Sequence, residues 1–401
     1  MHILLVCNKF PFPSRDGGSL ATSNLARGLA ETGNRVDLIA MNTSKHYYPA
    51  HFPDNNIPFL NKVVKVFVNN SLSYYNLLYN LMFSSLPYNA ERFISDEFKN
   101  VLSGILRENG YDIVQLEGLY LAPYIKTIRD NSEALIVYRC HNIEHLIWKS
   151  YLSREKNLLK KWYIGILYKR IKVFEQNFIN KYDIITPLTK TDLEIMNSMG
   201  NLKPAMVAPF GKFRYEPEID YSFSGSLCLQ YIGALDWMPN VEALGWFVDN
   251  VWEKIKKKHP GLRFIVAGRN AGKDMKKDLQ GKGIDFRGEV ESSHDYLSEN
   301  GILLVPLFSG SGIRVRIIEA MFYGKPVVAT SLAVSGIPAE NGKHLLIADN
   351  AEAFIKSVQK LIDDPEYAIR LGLNARKFGY KYYDNSVIAG NLSDFYQTML
   401  V

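Results

Sequence analysis

The alternation of short apolar runs with amphipathic segments constrains this chain more than any other feature of its sequence. Runs such as His2–Cys7 and Ile302–Pro306 are nearly continuous in apolar residues, as strands buried on both faces of a parallel sheet are. The segments between the runs have helical spacing, and this order is typical of parallel sheets covered by helices on both sides. After about residue 209 the pattern starts again. The sequence therefore predicts two doubly wound α/β units in series.

The expected strands are His2–Cys7, Arg35–Met41, Val63–Val68, Asp112–Glu117, Ala134–Cys140, Asp183–Pro187, Cys228–Gly233, Leu262–Gly268, Ile284–Arg287, Ile302–Pro306, Pro326–Ala329 and His344–Ile347. A chain of 401 residues exceeds what one hydrophobic core usually serves. Turn-forming residues near 204–226 predict a first domain over 1–207 and a second over 208–384. The last helix, 385–401, either stays with the second domain or packs back on the first. The sheets are expected to face each other across a cleft that holds ligands at the strand ends.

Composition excludes several classes of protein. Apolar residues make up 47% and charged residues 22% of the chain, as in average soluble domains. Three dispersed cysteines without a CxxC pair indicate neither a disulfide framework nor a structural zinc site, and a reducing cytoplasm fits best. No run is long enough for a signal peptide or for the roughly 18 apolar residues that span a bilayer. Without a recognised motif, nucleic-acid binding is not favoured.

The formal charge of +6 is concentrated in the segment Tyr151–Lys181. This segment has eight Lys or Arg against two Glu, and its apolar residues have helical spacing. Two interpretations remain open: a helix that packs on the core with a solvated basic face, or a helix that lies on an anionic membrane surface. With the aromatic stretch Tyr74–Tyr88, the second interpretation suggests a lipid-linked acceptor at the inner face of a membrane.

The segment Phe308–Ala329 carries the strongest indication of a ligand. Its spacing predicts a helix from about residue 313 to 323, and a helix N-terminus lined by glycine offers N–H groups and a positive dipole end to a diphosphate. Arg314 and Arg316 add cations where a helix alone favours acids, which indicates an anionic ligand. The backbone expected around that anion consists of Gly310, Ser311, which is also an N-cap candidate, Gly312 and Ile313.

Three further features of the second half have two interpretations each. Glu319, two turns into the predicted helix, either binds ribose hydroxyls or is an ordinary solvated or arginine-paired glutamate. Arg269, after Gly268 at a strand end, either contacts a phosphate or closes the sheet. The loop within 229–240 either lines the donor pocket or forms a strand-to-helix turn.

The first half contains two motifs at strand ends. Gly17 and Gly18 open a helix over about 19–32 and either allow a ligand to approach the backbone or form a plain turn. The third glycine of the dinucleotide fingerprint is missing, so a nicotinamide cofactor is not supported. His141 follows a buried strand, where imidazole can hydrogen-bond a sugar hydroxyl. The HxxEH run 141–145 is also the inverted zinc-protease pattern, but a strand-end histidine does not fit it, and no metal site is expected.

In combination and order, these elements resemble the family 4 retaining glycosyltransferases (glycosyl transferase group 1), whose two facing Rossmann-like domains form the GT-B architecture. The resemblance covers nearly the full chain. It is carried by the first strand with Gly17-Gly18, the HNIE run at 141–144, and the segments YIGALDWMPN, VAGR, GSGIRVRIIEAMFYGKPVVAT and NGKHLLIAD.

The resemblance implies that the second domain binds a nucleotide-diphosphate sugar and that the first binds the acceptor, with no metal required. It implies that Glu319 binds the ribose and that Arg316, with the backbone of 310–313, surrounds the diphosphate or the sugar. It further implies that Arg287–Val290, including Glu289 and Val290, form the wall of the base pocket. It assigns the contact to the transferred sugar to His141, and a contact to the diphosphate or the acceptor to Gly17 and Gly18.

Two positions depart from the pattern of the family. The first acid of the usual Glu-x7-Glu pair is Ser311 here, and the Arg and Lys common after the first strand of the second domain are replaced by Ala234 and Asn240. The expected substitutes for the missing cations are Arg314, Arg316 and Arg269.

The predicted activity is transfer of a hexose-type sugar with retention of configuration, to a glycan or lipid-linked acceptor in bacterial surface polysaccharide synthesis. Two alternatives stay open. A nucleotide-sugar epimerase of the same architecture uses the same donor without an acceptor, and a non-catalytic sugar-nucleotide binding protein keeps the scaffold alone. The expected location is the cytoplasm, peripheral to the membrane if the basic segment binds lipid.

Overall fold

The computed structural model describes residues 1–14, 16–44, 47–48, 57–214, 227–290, 293–310 and 312–401. The strands are β1 His2–Cys7, β2 Arg35–Thr43, β3 Lys62–Val68, β4 Ile113–Glu117, β5 Leu135–Cys140, β6 Ile184–Pro187, β7 Cys228–Ile232, β8 Arg263–Ala267, β9 Asp285–Gly288, β10 Gly301–Val305, β11 Val327–Ala329 and β12 Leu346–Ile347.

The helices are α1 Gly17–Glu31, α2 Tyr74–Phe83, α3 Tyr88–Glu91, α4 Asp96–Glu108, α5 Ile125–Arg129, α6 Glu144–Arg154, α7 Leu158–Phe178, α8 Lys190–Ser198, α9 Met238–Phe247, α10 Glu253–Lys258, α11 Lys273–Gly281, α12 Ser293–Ser298, α13 Val315–Phe322, α14 Ser331–Val334, α15 Ala351–Asp363, α16 Pro365–Tyr382 and α17 Asn385–Leu400. A 3-10 turn covers Leu119–Tyr124, and a π-helical turn, Val248–Trp252, joins α9 to α10. None of the described helices has both the length and the apolar character needed to cross a bilayer.

Two parallel sheets organise the described residues. Their strand orders are β3-β2-β1-β4-β5-β6 and β12-β11-β10-β7-β8-β9. In each sheet the chain moves outward from its first strand and then returns to the other side of it, so the order reverses at β1/β4 and at β7/β10. Ligands of open α/β sheets bind beside such a reversal, at the carboxyl ends of the strands. The predicted fold class, two doubly wound Rossmann-like units, is confirmed.

Burial explains why the strands could be read from the sequence. Every residue of β4 and β10 is buried, because helices cover both faces of the sheets, and each expected strand matches an observed one to within two residues at either end. Helix starts were less accurate. The segment expected as one basic helix contains a break between Arg154 and Leu158, where the side chain of Asn157 caps α7 by accepting from the Lys160 N–H at 3.1 Å.

The contacts divide the chain into one unit of residues 1–213 with 385–401 and another of residues 214–384. The last helix, α17, therefore belongs to the first unit, one of the two arrangements that the sequence left open. It lies against α1 so closely that a Cβ added to Gly28 would be 2.6 Å from the Cβ of Ala389. The Asn385 Nδ2 donates to the Asn24 carbonyl at 2.7 Å, which fixes the start of α17 on α1.

We expect Gly28→Ala to lower the free energy of unfolding of the first unit by about 1–2 kcal/mol, because overpacking against α17 outweighs the gain in helix propensity. Gly104 is the matched control, since it is also inside a helix but has nothing within 4 Å of an added Cβ. Gly104→Ala should raise the same free energy by up to about 1 kcal/mol. Urea unfolding followed by circular dichroism measures both, and two equal shifts of the same sign would contradict the close packing of α1 and α17.

Candidate functional site

In the first unit, the carboxyl edge of the sheet pairs His141 with a carboxylate that the sequence analysis did not single out. His141 follows β5, Glu117 ends the adjacent β4, and His141 Nε2 lies 2.7 Å from Glu117 Oε2. Thr22 on α1 donates its hydroxyl to the same oxygen at 2.9 Å. Because Thr22 is one turn beyond Gly18, the glycine pair and His141 are brought to the same strand reversal, β1/β4.

Glu117 is the centre of a buried polar chain that reaches the last helix. Its second oxygen accepts from the Gln115 Nε2, and the Gln115 Oε1 accepts from the Tyr396 hydroxyl of α17 at 2.6 Å. Burial by itself raises the pKa of Glu117, but the hydrogen bond and charge of His141, with the charge of Arg139, hold that pKa below its usual range. The carboxylate is therefore ionised.

An ionised Glu117 decides the tautomer of His141. Its Nε2 carries a hydrogen and donates to the carboxylate, as a histidine beside a carboxylate does. The Nδ1 is enclosed and has no hydrogen-bond partner among the described residues. The structure therefore commits one ring nitrogen of His141 to orientation of the side chain rather than to a ligand.

Gly17 and Gly18 are the first residues of α1 rather than part of a turn before it. Neither is among the glycines with a positive φ, so the backbone conformation at these positions does not itself require glycine. Asp16 caps the helix by accepting from the Ser19 N–H at 2.9 Å, and Lys9 Nζ lies 2.7 Å from its carboxylate. A Cβ on Gly18 would come no closer than 3.4 Å to another atom. The packing of the chain thus does not require glycine here, whereas close approach of a ligand would.

The HxxEH residues do not converge. His145 Nδ1 pairs with Glu175, and the same carboxylate caps α6 by accepting from the N–H groups of Glu144 and His145 at 2.9 and 3.1 Å. His141 pairs with a different carboxylate, Glu117. Across the described ranges, no three His, Cys, Asp or Glu side chains gather in a way that suits a metal ion.

In the second unit, the loop between β10 and α13 has the glycine conformations that the sequence suggested. Gly310 and Gly312 have φ values of 98° and 80°, which favour glycine because other residues are strained there. Ser311 lies outside the described residues. Ile313 follows, and Arg314 takes the N-cap position without a capping side-chain bond. The helix therefore starts two residues later than expected, at Val315.

Arg316 extends from the first turn of α13 to the loop after β7. Its guanidinium donates to the Ile232 carbonyl at 2.5 Å and to Asn240 Oδ1 at 2.9 Å. A Cβ on Gly233 would lie 2.7 Å from the Arg316 Nη1, so only glycine leaves room for this arrangement. The loop after β7 has Ala234 and Asn240 where the family usually has cations. Arg316 of α13 supplies a cation to this loop from across the β7/β10 reversal.

Two more arginines lie near this edge. Burial, together with the charge of Arg316, lowers the pKa of Arg314 to about 10, so the two guanidinium groups repel each other in a partly dehydrated place. Arg269 follows Gly268, whose added Cβ would be 2.1 Å from the Gly233 carbonyl oxygen, and the loops after β7 and β8 are therefore in contact. The Arg269 Nε is enclosed without a hydrogen-bond partner in the described part of the chain.

Glu319 is buried, with 7% of its surface exposed, and the interpretation as a solvated helix glutamate therefore fails. It accepts from the Ser293 hydroxyl at 3.1 Å. Ser293 begins α12 and follows closely on Glu289, which is exposed, and Val290, which is half-buried. The loop after β9 is thus brought to Glu319, through a serine that the sequence analysis missed because one serine before a short helix carries no distinctive pattern.

Comparison with known proteins gives a family-model match for part of the chain and a fold for the whole of it. Residues 227–364 match the family model "Glycosyl transferases group 1". An uncharacterized 44.6 kDa protein in the cps region of Klebsiella pneumoniae is 22% identical over 403 residues, covering 97% of this chain and 98% of that protein.

Two solved structures extend the likeness to the whole fold. Sucrose-phosphate synthase from Thermosynechococcus elongatus is 15% identical, with a TM-score of 0.74 and coverage of 100% of this chain and 99% of that chain. Anabaena HepE in complex with UDP is 13% identical, with a TM-score of 0.68 and coverage of 99% and 100%. The expected GT-B architecture is confirmed as a fold, and residues 227–364 match the group 1 glycosyltransferase model, while membership of family 4 stays a prediction.

The pKa of Glu144, the last residue of the HNIE run, gives a test of this region. Burial raises it to about 7 despite the 2.8 Å hydrogen bond from Tyr120, and Glu175 adds to the rise. The folded protein then binds its proton more tightly than the unfolded chain, so stability is full below about pH 4.5 and declines as pH rises to about 7.

We expect Glu144→Gln to remove this decline and to stabilise the first unit at pH 7.5 relative to the wild type by up to about 3 kcal/mol. Urea midpoints at pH 5 and pH 7.5 measure the effect. Glu133→Gln, an exposed glutamate in the same unit, is the control and should leave the pH dependence unchanged. The assignment would be refuted if the free energy of unfolding changed between pH 5 and pH 7.5 by the same amount in the wild type and in Glu144→Gln.

Proposed function

We propose that this chain is a glycosyltransferase that transfers a hexose-type sugar from a nucleotide-diphosphate donor. The group 1 match of residues 227–364 and the GT-B fold support this proposal. The observation that carries the proposal is the edge of the second sheet at β7/β10. There a glycine loop, the start of α13, Arg314 and Arg316 concentrate positive charge, with a buried carboxylate, Glu319, one turn further on. This arrangement suits a diphosphate joined to a ribose.

Each side chain has a role in this proposal. Arg316, held by Asn240 and the Ile232 carbonyl, faces the diphosphate, and Arg314 and Arg269 add charge around it. Relief of the repulsion between Arg314 and Arg316 by an anion favours binding. Glu319 accepts hydrogen bonds from the ribose, and the segment Glu289–Val290 lines the base. The backbone at 310–313 approaches the phosphates, where its glycines leave space.

We further propose that the first unit binds the acceptor, with His141 against the transferred sugar and Gly17 and Gly18 beside the diphosphate or acceptor. Glu117 fixes the orientation and the tautomer of His141. The reaction is a front-face transfer: the bond from the anomeric carbon to the diphosphate oxygen breaks, the acceptor oxygen bonds to the same face, and the departing phosphate oxygen takes the acceptor proton. The arginines and the helix end stabilise the leaving group without a metal.

The proposed setting is the synthesis of a bacterial surface polysaccharide, with a glycan or lipid-linked acceptor in the cytoplasm. The similar Klebsiella protein in a cps region supports this setting. The structure of HepE with UDP makes UDP the first nucleotide to test.

A thermal-shift panel of UDP, GDP, dTDP and ADP in the presence of EDTA tests the donor site. At a hundredfold excess over the dissociation constant, a ligand stabilises the folded state by about 2.7 kcal/mol, or a few degrees in melting temperature. We expect one nucleotide to raise the melting temperature of the wild type. The control Glu352→Ala, whose carboxylate is exposed on α15 of the same unit, should respond in the same way. Glu319→Ala and Glu319→Gln should lose the shift, and no response to any nucleotide would refute the proposal.

The stereochemistry and the reaction class need a separate measurement. Proton NMR of the product with the preferred nucleotide sugar should show the anomeric configuration of the donor retained, at the same rate with EDTA. Inversion would refute the front-face transfer. Conversion of the donor sugar to its epimer without an acceptor would identify an epimerase, and binding without turnover in the presence of diverse acceptors would identify a binding protein.

A further inference from the structure

Helix α2 has an exposure that is unusual for its composition. It contains no charged residue, and the whole segment 69–90 has no Asp, Glu, Lys or Arg. Asn80 is its only buried residue. Six of its large side chains are between 55% and 88% exposed: Tyr74, Tyr75, Leu78, Tyr79, Met82 and Phe83. Contiguous apolar exposure of this kind marks an interaction surface more often than a free one.

Polar contacts hold the end of α2, in which Leu77 and Leu81 are half-buried. Arg170 of α7 donates to the carbonyls of Asn80 and Leu81 at 3.2 and 2.9 Å and to the Asn80 Oδ1 at 3.0 Å. A guanidinium at these terminal carbonyls stabilises the end of a helix. The Asn80 Nδ2 donates in turn to Glu91 Oε2 at 2.7 Å. The six exposed side chains of α2 are therefore available to a partner outside this unit's core.

The start of α7 continues this exposed surface. Leu158, Leu159 and Trp162 are 81%, 80% and 61% exposed, whereas the later apolar residues Leu167 and Ile171 are buried in the core. Leu159 and Trp162 are eleven and eight residues before Arg170, so helical periodicity puts them on the side of α7 from which Arg170 reaches α2. The predicted apolar stripe is thus divided between the core and the surface.

Positive charge accompanies the exposed apolar side chains. From Lys156 to Phe174 there is no acidic residue, and the exposed cations in this stretch are Lys156, Lys160, Lys161, Lys169 and Lys172. Tyrosine and tryptophan prefer the boundary between an apolar and an aqueous phase because one end of each ring is polar. Apolar and aromatic side chains beside a purely basic helix are complementary to an anionic bilayer.

We propose that α2 and the first turns of α7, the α2–α7 surface, dock on a lipid bilayer with anionic headgroups. The apolar anchor is mainly α2, and the lysines of α7 supply the attraction. Binding to the bilayer itself does not depend on the proposed sugar transfer. Its role, which is to bring the acceptor-binding unit to a lipid-linked acceptor, rests on the proposed function. Each lysine near an anionic surface is worth about fivefold in the partition coefficient.

Flotation of the full chain with vesicles of phosphatidylcholine, with and without phosphatidylglycerol, tests the charge of the surface. We expect binding to the anionic vesicles at low salt and release at high salt, because the attraction is screened. Lys160→Glu/Lys161→Glu should reduce the partition coefficient more than tenfold. Lys254→Glu/Lys257→Glu, on exposed positions of α10, makes the same change in net charge and should bind like the wild type. An equal loss in both variants would overturn the proposal.

The apolar part of the surface has its own variant and control. Leu78→Ser/Met82→Ser changes one exposed face of α2 and should weaken vesicle binding severalfold at either salt concentration, whereas Leu202→Ser, 85% exposed elsewhere in the unit, should not. The fluorescence emission of Trp162, obtained by subtracting the spectrum of Trp162→Phe from that of the wild type, should move to shorter wavelength when vesicles are added. Absence of wild-type binding, or sedimentation as a dimer that Leu78→Ser/Met82→Ser dissolves, would overturn the proposal.

The nucleotide-induced thermal shift of every variant separates this proposal from the proposed function. A variant that keeps the nucleotide-induced shift but loses vesicle binding has a defect in the α2–α7 surface alone. A protein that shows no nucleotide-induced shift but still binds vesicles contradicts the proposed donor site alone.

Discussion

Reversal of strand order beside the first strand is the constraint on which both candidate sites depend. In a parallel sheet the loops at the carboxyl ends of neighbouring strands usually lead to helices on the same face, and these helices crowd the edge. Where the order reverses, the two helices leave on opposite faces and a crevice stays open between them. At β1/β4 the crevice is bordered by Gly17, Glu117 and His141, and at β7/β10 by Gly233 and Arg316.

Close approach of backbone and charge distinguishes the second reversal from the first. Gly233 and Gly268 leave no room for a side chain, because the Arg316 guanidinium and a carbonyl oxygen occupy the space. Arg314 and Arg316 are therefore held close to each other at the start of α13, without an acid in its first turn. Such a concentration of charge is unfavourable in the unliganded protein and becomes favourable when an anion enters.

The first reversal is organised around a buried carboxylate instead. Glu117 remains ionised in a buried position because several donors and the nearby Arg139 compensate for the loss of water. One end of this polar chain is Tyr396, which the chain supplies only after it has completed the second unit. The return of α17 to the first unit therefore completes the environment of His141 as well as the packing of α1.

The sequence by itself determined the strands, the fold class and the glycine loop before α13, because strands buried on both faces require continuous apolar runs and positive φ values require glycine. It also determined the residue types that suit a diphosphate. Only the tertiary structure decided that Glu117 orients His141, that Arg316 supplies the cation missing after β7, that Ser293 meets Glu319, and that α2 is exposed. These contacts join residues 24, 84, 26 and 90 positions apart, and local patterns carry no information about pairs so distant. Their partners are chosen by strand order and helix packing, which depend on the whole chain.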